Sequence, residues 1–260
     1  MSEVRNSLKE RLARGEVASS LTVRLTRGVE IAQLAKTAGF DSLYIDLEHS
    51  SLSLETTSQI CVAALGCGIA SLVRVPQVEM IQRVLDGGAL GIIAPDVRSA
   101  AQAREIVKAA KYPPLGERGF ATALPQFQYR SLPAKEGYAA LNGATMVIVQ
   151  FESAEAIDNA EAIFAVEGVD MALFGTNDLT ADLGIPGDYD NPRVRDAYAH
   201  AIAAAKKHGK HVGVGGLASQ PKLTAEFVKM GARYVSTGTD LGFLLSAATA
   251  SAGQVRALEV

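Results

Sequence analysis

The chain of 260 residues is 48% apolar and 20% charged with a net charge of −3, which supports a substantial core and offers no basic block for nucleic acid or an anionic membrane. No apolar run approaches the roughly 20 residues that cross a bilayer, and the opening MSEVRNSLKERLARGE is too polar for a secretory signal, so a cytoplasmic location is expected. The two cysteines, Cys61 and Cys67, fall on different faces of one helical segment, which fits reduced thiols in place of a disulfide.

In chain order, short β-branched runs predict strands at 20–24 (SLTVR), 42–46 (SLYID), 70–74 (ASLVR), 90–94 (LGIIA), 145–150 (TMVIVQ), 169–174 (VDMALF), 211–214 (HVGV) and 233–236 (RYVS). Alanine-rich helical patterns follow them near 28–38, 54–66, 77–87, 99–110, 153–165, 191–208, 219–230 and 240–257. Gly39, Gly87, Gly209 and Gly231 read as helix stops. Eight strands each followed by a helix predict a single (β/α)8 TIM barrel over residues 1–260. An open doubly wound sheet fits less well, because no glycine-rich phosphate turn follows the first strand. Residues 111–143 break the rhythm, with a helix near 134–141, and read either as a functional or interface segment or as a plain surface excursion.

A parallel barrel gathers its chemistry at the C-terminal ends of its strands. Asp46, Glu48 and His49 follow the second strand and Arg74 closes the third. Gln150 ends the fifth, with Glu152 two residues on, and the sixth leads into Gly175, Thr176, Asn177 and Asp178. His49 is either a satisfied core histidine or a base oriented by nearby Asp46. Arg74 is either a barrel-end ion pair with Asp46 or Glu48 or a clamp for an anionic substrate. Glu152 and Asp178 are either charges that complement helix starts or two ligands of a hard divalent ion such as Mg²⁺ or Mn²⁺. The amides of the GTND stretch offer a seat for a substrate carboxylate. No lysine falls at a strand's C-terminal end, so a Schiff base has no evident nucleophile. His200, His208 and His211 lie away from the mouth, which disfavours a multi-histidine zinc site.

The pieces GFDSLYIDLEH, LVRVP, VLDGGALGIIAPDVRSAAQAREIVKAAKYPPLGERGF, VQFESAEAIDN and VEGVDMALFGTNDLTADLG come in an order and spacing that resembles the HpcH/HpaI aldolases. These are metal-dependent class II enzymes that cleave and form 4-hydroxy-2-oxo acids by way of pyruvate. The resemblance implies that Glu152 and Asp178 hold the divalent metal (Mg²⁺, Mn²⁺ or Co²⁺). It implies that Arg74 and Gln150 hold the pyruvate part, with Gly175, Thr176 and Asn177 near its carboxylate. Asp46 and His49 would form the acid–base dyad, supported by Asp86 from a neighbouring subunit. It also implies a 2-keto acid and an aldehyde as small-molecule partners, and a hexamer (a trimer of dimers) in which the last helix is swapped onto another subunit's barrel. The chain departs from the family's usual G-P-A-D-L-S at GTNDLT, and carries Leu47 where relatives have glycine or methionine. Oxaloacetate decarboxylation and an acyl-CoA lyase of the citrate lyase beta type are the alternatives.

Overall fold

The computed structural model describes residues 4–258. Eight parallel strands close into a barrel in chain order: β1 (Ala18–Val23), β2 (Ser42–Asp46), β3 (Ala70–Arg74), β4 (Gly91–Ala94), β5 (Met146–Phe151), β6 (Met171–Gly175), β7 (His211–Gly215) and β8 (Tyr234–Thr239). The expected barrel is therefore the observed one. Side chains alternate across a strand, and here both faces are apolar because both are covered. Tyr44, Leu72, Ile93, Ile148, Leu173 and Tyr234 fill the interior. Val23, Ile45, Val73, Ile92, Val149, Phe174 and Val214 face outward into the layer beneath the helices. The same alternation turns Asp46, Arg74 and Gln150 inward at the strand ends, and the β2–β3 register sets Asp46 beside Arg74.

The surrounding helices are α2 (Glu30–Thr37), α3 (Leu54–Cys67), α4 (Ile81–Asp86), α5 (Ala100–Ala110), α7 (Ala154–Asp158), α8 (Ala160–Phe164), α10 (Pro192–Lys207) and α11 (Pro221–Met230). They match the sequence reading with two refinements. The helix expected at 77–87 begins as a 3-10 turn, and the one at 153–165 breaks in two at Asn159. Gly39, Gly209 and Gly231 take the positive φ of a helix stop. Gly87 does not: it stays helical at φ −73°, and Gly88 turns the chain at φ +109°. Cys61 is buried and both cysteines are free thiols.

Two short helices escaped the periodic reading, α1 (Ser7–Ala13) and α9 (Thr176–Asp182). The first plugs the N-terminal end of the barrel with Leu8 and Leu12, both buried in the inner core. Asn6 fastens it. Its Oδ1 accepts from the Lys9 amide at 3.2 Å, and its Nδ2 donates to the carbonyls of Leu90 (3.2 Å) and Ala144 (2.8 Å). Residues 111–143 connect α5 to β5, at this same rim and away from the strand ends that carry the polar cluster. They include α6 (Ala134–Ala144) and bury Tyr112, Leu124, Phe127 and Leu141 in a satellite core.

The last helix, α12 (Asp240–Arg256), leaves the barrel almost wholly exposed past its first residue, with Leu241, Phe243, Leu244, Leu245 and Val255 uncovered. β8 is only partly buried after Tyr234, whereas β2 to β5 are buried throughout.

Replacing Asn6 with alanine removes the α1 cap and two bonds to main-chain carbonyls, of which that of Leu90 still accepts from the Met146 amide at 2.9 Å. We expect a loss of about 2 kcal/mol in unfolding free energy, read from a urea titration. An unshifted midpoint would show that the plug does not depend on this residue.

Candidate functional site

A cavity of about 520 Å³ opens at the C-terminal ends of the strands. Its wall includes Arg24, His49, Arg74, Gln150, Glu152 and Asp178, so side chains following β1, β2, β3, β5 and β6 do meet at one mouth. No lysine lines it.

The centre of the wall is an ion-pair lattice. Arg74 is 3% exposed and Asp46 fully buried. Arg74 Nε donates to Asp46 Oδ1 at 2.9 Å and Nη2 donates to Oδ2 at 2.6 Å, the bidentate fork that a guanidinium and a carboxylate favour. Arg74 Nη1 lies 2.8 Å from Glu48 Oε2, and the Arg74 guanidinium sits 5.6 Å from the Tyr44 ring centroid. The amides of Glu48 (3.0 Å) and His49 (3.2 Å) donate to Asp46 Oδ1. Burial works to raise the Asp46 carboxyl, but Arg74's hydrogen bonds and charge, the His49 amide and Arg24 overcome it and hold the group at about 2.

This corrects the expected dyad. His49 meets Asp46 through its main chain; its ring is half exposed, with Nε2 3.8 Å from Glu48 Oε2. The Asp46 carboxylate accepts from two arginines and does not meet the imidazole. Of the two readings of Arg74, the ion pair is observed, and with both acids at once.

Arg24 was missed by the sequence reading. Its Nε donates to Asp46 Oδ2 at 2.6 Å and it lines the cavity. The signal was available: SLTVR ends in arginine just as ASLVR does, on a parallel strand of the same barrel.

Across the mouth, Gln150 Nε2 donates to Glu152 Oε1 at 2.8 Å, and the Asp96 amide donates to Glu152 Oε2 at 3.1 Å. Gln150 Oε1 is buried and, among the described residues, has no partner. Burial raises the Glu152 carboxyl to about 7; the Asp96 amide and Arg74 oppose this, and the negative charges of Asp178 and Glu48 add to it. Gly175 gives Glu152 its space, since a Cβ there would stand 2.4 Å from Glu152 Oε1. Glu152 and Asp178 share the cavity wall; no group of three or more His, Cys, Asp or Glu ligands occurs among the described residues.

The GTND stretch is α9's first turn. Thr176 differs from its expected role, because its hydroxyl is buried against Tyr198 Oη (2.9 Å) and donates to the Gly215 carbonyl at 2.7 Å. Its side chain therefore braces β6 to β7, and only its main chain can serve a ligand. Asn177 does line the cavity, its Oδ1 accepting from Tyr189 Oη at 2.6 Å. Asp86 lies outside the site. It ends α4 at the opposite rim, where the buried Arg118 donates to it from Nη2 at 2.6 Å, so a supporting role would need a neighbouring copy.

The Asp46 carboxyl ionises at about 2 in the folded chain against an ordinary 3.8. Its contribution is thus present above 3.8 and lost as pH falls toward 2. About 2 kcal/mol of acid sensitivity follows from that difference, and Asp46→Asn should lack this part of the slope when unfolding is followed between those two pH values. An identical slope in the variant would show the lattice is not anchored on this carboxylate.

The HpcH/HpaI aldolase/citrate lyase pattern matches residues 27–247. The 4-hydroxy-4-methyl-2-oxoglutarate aldolase of Hapsidospora irregularis is 40% identical, covering 98% of this chain and 96% of its own length. The 5-keto-4-deoxy-D-glucarate aldolase of Klebsiella pneumoniae is 36% identical, covering 93% of each chain. The crystal structure of an HpcH/HpaI aldolase from Desulfitobacterium hafniense superposes with a TM-score of 0.91 at 30% identity, over 98% of each chain. With a family pattern spanning most of its length, its barrel and its mouth, this chain belongs to the HpcH/HpaI aldolase/citrate lyase family.

Proposed function

We propose that the chain is a class II aldolase that cleaves and forms 4-hydroxy-2-oxo acids, releasing pyruvate and a carbonyl fragment. The observation that carries this is the charge layout of one cavity. A buried arginine fixed by Asp46 faces the same cavity as Glu152 and Asp178, in a wall without a lysine. Such a site stabilises an enolate electrostatically, with no covalent adduct.

Glu152 and Asp178 would hold a divalent ion of the Mg²⁺, Mn²⁺ or Co²⁺ kind. The donor set fits: two hard carboxylates leave positions for water and substrate oxygens. The local chemistry fits too. Gln150 Oε1 is buried without a partner among the described residues, Gly175 keeps the space before Glu152 clear, and Glu152 is partly buried near the like charges of Asp178 and Glu48, which a cation would relieve. When bound, the ion supplies Lewis-acid polarisation of the 2-oxo group.

The chain's own residues do the rest. Arg74, held rigid by Asp46, presents fixed positive charge where the keto oxygen gains negative charge. The Thr176 and Asn177 amides, with Gln150, orient the pyruvate carboxylate end. His49, half exposed at the cavity edge, takes the C4 hydroxyl proton. As that proton leaves, C4=O forms, the C3–C4 bond breaks, and its electron pair passes into the pyruvate enolate, which then takes a proton at C3. Asp46 transfers no proton, being locked as a carboxylate between two guanidiniums.

The working unit is a homo-oligomer. The apolar side chains of α12 and the half-covered outside of β8 are complementary needs that a second copy meets, α12 of one chain covering another's barrel. The hexamer implied by the resemblance is one such arrangement. Membership of a family of metabolic aldolases supports a place in the cytoplasm; among the described residues no helix is long and apolar enough to cross a membrane.

The function is tested by offering 4-hydroxy-2-oxo acids, and oxaloacetate separately, with Mg²⁺, Mn²⁺ or Co²⁺. Aldehyde and pyruvate should appear together and cease with chelator. His49→Ala and Arg74→Ala should each lose about 1,000-fold in kcat/KM while keeping the fold. Pyruvate with carbon dioxide alone would assign a decarboxylase, and an adduct trapped by borohydride would refute the mechanism. The assembly is tested by sedimentation velocity: a single larger species should dissociate in the Leu244→Glu, Leu245→Glu double variant, and a monomeric parent chain would end the proposal.

A further inference from the structure

We infer that Arg24 is a carboxylate-binding residue for the leaving fragment, so that the substrate class is the 4-hydroxy-2-oxo dicarboxylic acids. The inference rests on the aldolase reading and narrows it. Four observations converge on it.

Arg24 is surplus to the structural ion pair. Arg74 alone already forks onto both Asp46 oxygens and reaches Glu48, spending all three of its nitrogens. Arg24 adds one bond, from Nε to Asp46 Oδ2, and its Nη1 and Nη2 have no partner among the described residues. That leaves the end of the guanidinium with parallel donors open, the edge that accepts a carboxylate side-on.

The residue is also mounted. The amides of Arg24, Leu25 and Thr26 all donate to the nearly buried carboxylate of Asp240, at 3.0 Å, 3.0 Å and 2.7 Å. Main chain and side chain are each held by a separate acid, so little ordering remains when a ligand arrives. The side chain is 37% exposed at the cavity wall, open enough to be reached.

Its place in the barrel gives it the far end of a substrate. In a closed ring of eight strands in chain order, β1 stands opposite β5. Glu152 and Gln150 follow β5, so a 2-oxo acid seated there extends its other end toward β1 and Arg24. The cavity wall also carries the neutral Thr22, Tyr44, Ser236 and Thr239, and Arg74, on the same Asp46 oxygen as Arg24, adds a second positive charge. A carboxylate is the group that such a preset, positively charged fork selects.

Turnover and binding are measured on the full chain with Mg²⁺. Cleavage of 4-hydroxy-2-oxoglutarate is compared with that of 4-hydroxy-2-oxopentanoate, and calorimetric binding of 2-oxoglutarate with that of 2-oxopentanoate. Each pair differs only in the distal carboxylate. The parent chain should favour the dicarboxylate by about 30-fold or more in kcat/KM, the scale of one hydrogen bond to a charged partner. Arg24→Gln should collapse that ratio mainly through KM, and Arg24→Lys should restore part of it. A ratio unchanged by Arg24→Gln, or equal losses on both substrates through kcat, would overturn the inference and leave Arg24 as a brace for Asp46. Cleavage without preference sinks the inference and spares the aldolase. A binding preference that Arg24→Gln abolishes, without any cleavage, sinks the aldolase and supports the carboxylate site.

Discussion

One carboxylate, Asp46, buried with Arg74 where β2 and β3 end and reached by the part-exposed Arg24 after β1, sets the layout of the mouth. Taking such ions out of water costs several kcal/mol apiece, and only close geometry with further hydrogen bonds offsets it. Asp46 has that geometry, accepting from two guanidiniums and two main-chain amides. An apolar cluster of similar volume would serve stability as well. What it would not supply is a guanidinium of fixed direction at the wall of a cavity, and preset charge is what lowers a barrier when new charge develops.

The barrel makes that lattice affordable in space. Large inward side chains such as Leu72, Ile148 and Tyr234 fill its lower part, and α1 closes the bottom with Leu8 and Leu12. Nearer the mouth the inward positions change to polar residues or to none at all. Gly175 is the sharpest case, because any side chain there would collide with Glu152. Packing therefore decides where the solvent-accessible volume lies, and alternation along each strand decides which groups look into it.

The barrel was legible because eight β-branched runs and their alanine-rich partners repeat along the chain, and the strand ends showed where Asp46, Arg74, Gln150 and Glu152 gather. Three things were not legible, each for a physical reason. Seven-residue helices such as α1 and α9 carry too few turns to give a period, and α9 begins inside a stretch that reads as a loop. Side-chain pairing is a matter of direction, so proximity in sequence suggested His49 for Asp46 when the neighbouring strands supplied Arg74 and Arg24. Asp86 entered through resemblance alone, and its position depends on which rim a helix end reaches; α4 runs away from the mouth.

Asp240 is the first residue of the projecting α12, and it is also the acid that grips the amides behind Arg24. One carboxylate thus belongs to two levers, the arm that reaches outward and the fork that faces inward. In the proposed oligomer, the contact made by α12 and the recognition proposed for Arg24 would be anchored on the same side chain, so that residues touching only the first bear on the second.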